Sequence, residues 1–353
     1  MSKKHKTREE RLQDLRECAM PLAHCKKGLL PVEKVTLAYT AFTLLLTLIL
    51  WGKIESPVLR VIERVVIAGG VAVFFGLYRS KPSELTRFLR NFYCIALLTF
   101  WYPDIYHFCS AQPNLDHLFA EADSSIFGCQ PALVFSQVLS GRLWSELFYM
   151  GYFSYYVMII IVAAMALWKT RRLFEKTVFI VITSFFLYYL IYLFLPVAGP
   201  QYYFSNTDAY NVATNVYRPL EDFFRTHTEV PDNGLPSGLF HTLVNLAQWG
   251  ERPIAAFPSS HVGVATILLV LVWRHHNLKT FLWFLPFYFL LCLSTVYIKA
   301  HYLIDVFAGF ITAIFFYLFA HWLYSQLHVK SGSSSESRSH SSSSHHHHHH
   351  HSH

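Results

Sequence analysis

The chain has 353 residues, of which 53% are hydrophobic, 17% aromatic and only 14% charged, with a formal net charge of +7. Soluble domains carry roughly 25% charged residues, so the composition excludes an ordinary soluble domain and points to a membrane protein. The positive charge does not indicate a nucleic-acid partner, because the basic residues sit in short loops between apolar stretches, as on the cytoplasmic side of membrane proteins.

In chain order, residues 1–33 form a charged, basic arm without the short apolar core of a cleavable signal peptide. Eight apolar runs follow, near 34–52, 60–78, 88–107, 146–168, 175–196, 260–274, 279–298 and 302–324; about 20 apolar residues suffice to span a bilayer. The second run is the weakest because Glu63 and Arg64 interrupt it. Two loops are too long for simple turns, and helical spacing within them predicts short interfacial helices. One carries Leu115, Leu118 and Phe119; the other carries Leu239, Leu243, Leu246 and Ala247. Residues 331–353 are a Ser/His-rich stretch with seven histidines at 345–351, expected to be a disordered tail or a tag. The expected organisation is an all-α integral membrane protein. It comprises the arm, an added hairpin over 34–78, a six-helix catalytic domain over 88–324, and the tail.

Lys3, Lys4, Lys6, Arg8, Arg11, Lys26 and Lys27 precede the first span. Arg79, Lys81, Arg87 and Arg90 precede the third, Lys169, Arg171, Arg172 and Lys176 the fifth, and Arg274 and Lys279 the seventh. With eight spans all of these fall on one side, while the loops at 108–145 and 197–258 are poor in Lys and Arg. The positive-inside pattern therefore predicts both termini in the cytoplasm. The six cysteines show no metal-ligand spacing. Cys109 and Cys129 share one loop and form either a disulfide, in an oxidising compartment, or two free thiols.

Two segments carry chemistry: Phe257-Pro258-Ser259-Ser260-His261, and His301-Tyr302-Leu303-Ile304-Asp305 forty residues later. The eight-span count brings both to the outer face. Four residues apart on a helix, His301 and Asp305 share a face, and a carboxylate holding one imidazole nitrogen frees the other as base or nucleophile. Ser259, Ser260 and His261 begin a helix, where unpaired backbone N–H groups suit a phosphate. The same three His and Asp side chains also admit a metal site.

The first segment resembles the Pro-Ser-Gly-His motif of the type-2 phosphatidic acid phosphatase and haloperoxidase superfamily. Ser294 to Asp305 resembles its Ser-Arg-x5-His-x3-Asp motif, and Val306-Phe307-Ala308-Gly309 also fits. The resemblance covers about residues 180–320 and departs at two points. Thr295 stands where the family has arginine, and asparagines (Asn211, Asn245) stand seven residues before Arg218-Pro219 and Arg252-Pro253, where it has lysine. Both departures, and Leu195-Pro196-Val197-Ala198-Gly199-Pro200, look similar to the branch containing inositol phosphorylceramide synthase, which moves phosphorylated head groups between lipids.

The resemblance implies His301 as nucleophile through a phosphohistidine, Asp305 orienting it, and His261 as general acid and base, with no metal or cofactor. Ser259, Ser260, Arg252, Lys299 and Arg218 are candidates for binding the phosphate, Arg252 first. The partners would be a phospholipid donor, a lipid alcohol or water as acceptor, and the bilayer, expected to be a bacterial inner membrane. A lipid-phosphate phosphatase is the alternative. A lipid transporter would need inverted repeats or mid-membrane polar breaks, which the chain lacks. Glu146 and Asp104 are expected at the interface or lining the site. Tyr149, Tyr152, Tyr155 and Tyr156 are expected to pack or form an aromatic belt rather than bind an inositol ring. Gly199-Pro200 is expected to shape a turn. His107, His275 and His276 read as hydrated interfacial residues.

Overall fold

The computed structural model describes residues 7–9, 28–248 and 250–341, with side chains through 328. Most of the basic arm and the His-rich end of the tail lie outside the described residues. The first two helices, α1 (Pro31–Ile49) and α2 (Pro57–Ser80), both start on a proline, which suits the first turn because its missing N–H would be unpaired there anyway. The third pass is split into α3 (Glu84–Ala96) and α4 (Leu98–Cys109); Pro103 offers no N–H to the carbonyl four residues back. Two short helices follow, α5 (Asp116–Phe127), closed by Gly128 at φ 71°, and α6 (Pro131–Val138). Then come α7 (Arg142–Lys169) and α8 (Arg171–Phe194), the latter capped by Thr170, whose hydroxyl accepts the Leu173 N–H at 3.0 Å. A short α9 (Pro200–Tyr203) and an antiparallel pair, β1 (Tyr210–Asn211) and β2 (Val216–Tyr217), lead to α10 (Leu239–Ala247). The chain closes with α11 (Ser260–His275), α12 (Leu278–Tyr297), capped by Asn277, and α13 (Leu303–Ser341).

Helices occupy all eight expected passes, and the short helices expected in both long loops are present as α5, α6 and α10. Among the described residues α1, α7, α8, α12 and α13 are long and apolar enough to cross a membrane unaided. The others fall short for local reasons: α2 is interrupted by charge, the third pass is split, and α11 has 16 residues. Leu45, Leu48, Val65, Ile160, Phe315 and Leu318 are exposed on the outside of these helices, where lipid rather than water is the matching solvent. The protein is an all-α membrane protein.

Charge within the second pass has a structural explanation. Arg64 is buried and ion-paired with Asp104 of α4, and it also donates to the Thr43 hydroxyl (3.2 Å) and the Arg60 carbonyl (3.2 Å). Glu63 pairs with Arg60 at 2.5 Å, and buried Glu33 of α1 pairs with Arg90 of α3. The Arg64–Asp104 and Glu33–Arg90 pairs tie α2 and α1 to the rest, since a lone charge in lipid is far costlier than a paired one. Asp104 is thus buried against Arg64 rather than left open to solvent.

Tyr149, Tyr152 and Tyr155 are buried inside the bundle, so they form no belt toward lipid. Glu146 accepts the backbone N–H groups of Phe240 (2.9 Å) and His241 (3.3 Å), capping the start of α10 and holding it on α7. Cys109 and Cys129 are free thiols, which decides between the two sequence alternatives.

Candidate active site

α11 and α13 pack side by side with their N-termini at the same end, bringing the two motif halves together. Gly309 permits the approach, since a Cβ there would lie 2.4 Å from the Ser259 carbonyl oxygen. The Ser259 N–H donates to the Asp305 carbonyl at 3.0 Å, and the Ser259 hydroxyl accepts the Val262 N–H at 3.3 Å. Tyr192 accepts the Ser260 N–H at 3.0 Å and donates to the Pro258 carbonyl. Two N–H groups of the first α11 turn are therefore already partnered within the protein, and Ser259 serves as a cap. Of the N–H groups this helix start was expected to offer a phosphate, those of Ser260 and Val262 are thus engaged.

His301 sits in the turn between α12 and α13 and is 3% exposed. Its backbone N–H and that of Ala300 both bond the Thr295 carbonyl, at 3.1 and 3.0 Å. Nδ1 lies 2.7 Å from the Ala256 carbonyl oxygen and 3.6 Å from Asp305 Oδ2. A carbonyl only accepts, so Nδ1 carries the proton and Nε2 keeps its lone pair. The direct orienter of His301 is thus Ala256, not Asp305 as its spacing suggested. Asp305 Oδ2 accepts the Tyr302 N–H at 2.8 Å, holding the turn, while its Oδ1 is buried without a partner.

Below the turn, α5 acts as a clamp that sequence reading missed. Asp123 accepts the N–H groups of Leu303 (2.9 Å) and Ile304 (3.0 Å), capping α13. Asp116, fully buried, accepts from the Ala198 N–H (2.6 Å), the Gly199 N–H (2.9 Å), the Asn114 side chain (2.7 Å) and the Tyr302 hydroxyl (2.7 Å). Burial pushes both carboxyl groups up from their usual range, against the pull of these donors. Gly199, at φ 110°, runs so close to the turn that a Cβ would be 2.5 Å from the Ala300 carbonyl. The one available signal was that Asp116 and Asp123, seven apart, share a helix face.

His261 faces His301 with ring centroids 5.8 Å apart. Its Nε2 lies 2.9 Å from the Tyr152 hydroxyl, which accepts from Gln248 Nε2 at 2.7 Å, while Nδ1 is buried without a partner. Tyr152 and Tyr155 pack on the ring at 4.8 and 4.6 Å. Tyr152 and Gln248 are site residues that no motif marks.

Two of the basic candidates bond backbone carbonyls. Lys299 donates to the Asn233 carbonyl at 2.8 Å, and burial lowers its ammonium from the usual value. Arg218 is exposed, and half-buried Arg252 bonds the carbonyls of Gly250 (3.5 Å) and Glu251 (3.4 Å) in its own turn. Thr295, where the family has arginine, is buried and donates to the Cys292 carbonyl at 2.8 Å. Among the described residues no three His, Cys, Asp or Glu side chains gather into a metal-binding group.

Burial lowers the His301 imidazole to about 4, partly offset by the Ala256 hydrogen bond. A lowered value means the ring stays neutral at pH 7 and loses its lone pair only as pH falls through about 4. Single-turnover phosphoenzyme formation from a phosphodiester lipid, which has no proton to titrate here, is therefore expected to show no His301 protonation step between pH 7 and 5. An acidic limb near the ordinary histidine value, removed with His301, would refute it.

A family model described as the PAP2 superfamily matches residues 117–319, more than half of the chain and including both motif segments. No curated protein and no solved structure matches the chain. By this match, and with both motif histidines meeting at one end of the bundle, the chain belongs to the PAP2 superfamily.

Proposed function

We propose that the protein is a membrane phosphotransferase that moves a phosphorylated head group, of which phosphoinositol is one candidate, from a phospholipid to a lipid alcohol. Superfamily membership supports lipid phosphatase or phosphotransferase chemistry in general. The observation that carries the reading is the buried, neutral His301 with Nδ1 held by the Ala256 carbonyl and Nε2 left free, opposite His261.

In the first step the Nε2 lone pair of His301 attacks phosphorus, the N–P bond forms and the P–O bond to the diacylglycerol breaks. His261, entering the step as imidazolium beside the bound anionic phosphodiester, gives its extra proton to the departing alkoxide and is left neutral. In the second step His261 takes the proton of the acceptor hydroxyl, whose oxygen bonds phosphorus as the N–P bond breaks. Asp305, close to the His301 ring, stabilises the positive charge that develops on it in this dry setting. Phosphoryl oxygens need donors in the transition state; Ser260 and Arg252 are our candidates, with Lys299 and Arg218 farther down the order. Thr295 and the missing lysine separate this site from a standard phosphatase pattern and favour transfer to an alcohol over hydrolysis.

We further place the six-helix catalytic unit at 88–324, the site on the face opposite the basic loops, both termini in the cytoplasm and the protein in a bacterial inner membrane. The test supplies purified protein with fluorescent ceramide plus phosphatidylinositol, and separately with phosphatidic acid, and resolves products by thin-layer chromatography. A new phosphorylated ceramide is expected. Free phosphate from phosphatidic acid with unchanged ceramide would replace the transferase by a lipid phosphatase.

A further inference from the structure

Glu251 lies in the turn after α10, and the mechanism above gives it no task. Its N–H bonds the Gln248 carbonyl at 2.9 Å, and the same Gln248 donates to Tyr152, the partner of His261. The Glu251 Oε2 atom is buried and has no hydrogen-bond partner, and its carboxylate makes no ion pair among the described residues. Neighbouring Arg252 bonds backbone carbonyls instead. Among the described residues, two more buried polar atoms in this region lack partners, the Tyr202 hydroxyl and His261 Nδ1. The carboxylate is within electrostatic reach of the phenols of Tyr102, Tyr152, Tyr156 and Tyr202. Buried polar groups left unpaired are costly, so a ligand that supplied hydrogen-bond partners here would stabilise this cluster.

The unpaired atoms define that ligand. A carboxylate oxygen accepts, while a phenol and an imidazole nitrogen each donate or accept; hydroxyl groups, which do both, match all three. An aromatic cage for a quaternary ammonium would instead need ring faces. Here those rings are engaged with others: Tyr102 with Tyr189, Tyr152 with His261, Tyr156 with Tyr155, and Tyr202 edge-on with Phe224.

We propose that Glu251 and Tyr202 form a subsite beside His261, held in place by Gln248, that binds the hydroxyl groups of a polyol head group on the transferred phosphorus. It rests on the reading that phosphorus is transferred at the His301–His261 pair. Burial pushes the Glu251 carboxyl up to about 7, and hydroxyl donors to its oxygen would restore the ionised form.

The test uses the full-length His301→Ala protein in detergent micelles, so that no turnover occurs. Isothermal titration calorimetry measures binding of myo-inositol 1-phosphate, glycerol 1-phosphate, phosphocholine and inorganic phosphate, with and without Glu251→Gln, and with Tyr202→Phe as a second variant. Gel filtration verifies that each variant stays monodisperse. Glu251→Gln is expected to weaken the two polyol phosphates about tenfold or more, the effect of a hydrogen bond to a charged group. Inorganic phosphate should weaken less, and Tyr202→Phe should act in the same direction. Equal losses for inorganic and polyol phosphate, no binding of either polyol phosphate, or tighter Glu251-dependent binding of phosphocholine would overturn the proposal. Glu251-dependent polyol binding by a protein whose wild-type form transfers no phosphorus would keep the subsite and remove the transferase reading. Transfer with polyol binding indifferent to Glu251 would do the reverse.

Discussion

Replacing His301 with alanine is expected to reduce head-group transfer by about 10⁴-fold or more, the scale seen when a covalent nucleophile is removed from a coupled set. The loss should be in kcat, and acid-quenched protein should no longer carry label from a phosphorus-labelled donor. The effect is large because this mechanism forms its N–P bond only at His301 Nε2, whose Nδ1 is held by the Ala256 carbonyl, while His261 serves as acid and base. His301→Gln is the sharper companion, since a side-chain amide can still donate to the Ala256 carbonyl but offers no nucleophilic nitrogen. Transfer that survives either substitution would show that phosphorus never bonds this ring.

Asp116→Ala should have the second largest effect, on stability and activity together. One buried carboxylate accepts from Ala198, Gly199, Asn114 and Tyr302. Its removal leaves four donors unpaired and a cavity among them, a loss of about 2–4 kcal/mol. The unfolding midpoint in detergent should fall clearly, measured by tryptophan fluorescence on heating. Activity of the remaining folded protein should also fall, by about 10²-fold if the His301 turn shifts by about 1 Å. Asp116→Asn, which keeps the shape and one acceptor oxygen, should fall between wild type and alanine. An unchanged midpoint would mean that the α5 clamp carries no load.

Much of the architecture was legible because membrane spans announce themselves through length and apolarity. The eight passes and the short helices near 115–119 and 239–247 were placed within a few residues, except that the last helix runs on to Ser341, into the stretch expected to be a disordered tail. The motif halves at 257–261 and 301–305 were visible as polar clusters at the ends of apolar runs. The Arg64–Asp104 pair was not legible, because ion pairs forty residues apart leave no periodic trace. Nor was the partner of His301 Nδ1, because it is a backbone carbonyl and every residue has one. Asp305, four residues on, was the obvious candidate; yet the turn at Tyr302 draws its Oδ2 away to 3.6 Å from the ring.

The sequence by itself determined that this is a membrane bundle and which histidines and carboxylate carry its motif, since hydropathy and short-range spacing are properties of neighbouring residues. Only the tertiary structure decided what those side chains face. Ala256 as the acceptor for His301, Tyr152 and Gln248 behind His261, Asp116 and Asp123 under the turn, and unpaired Glu251 all depend on contacts between segments far apart in the chain. Such contacts arise from the packing of whole helices, so no local pattern encodes them.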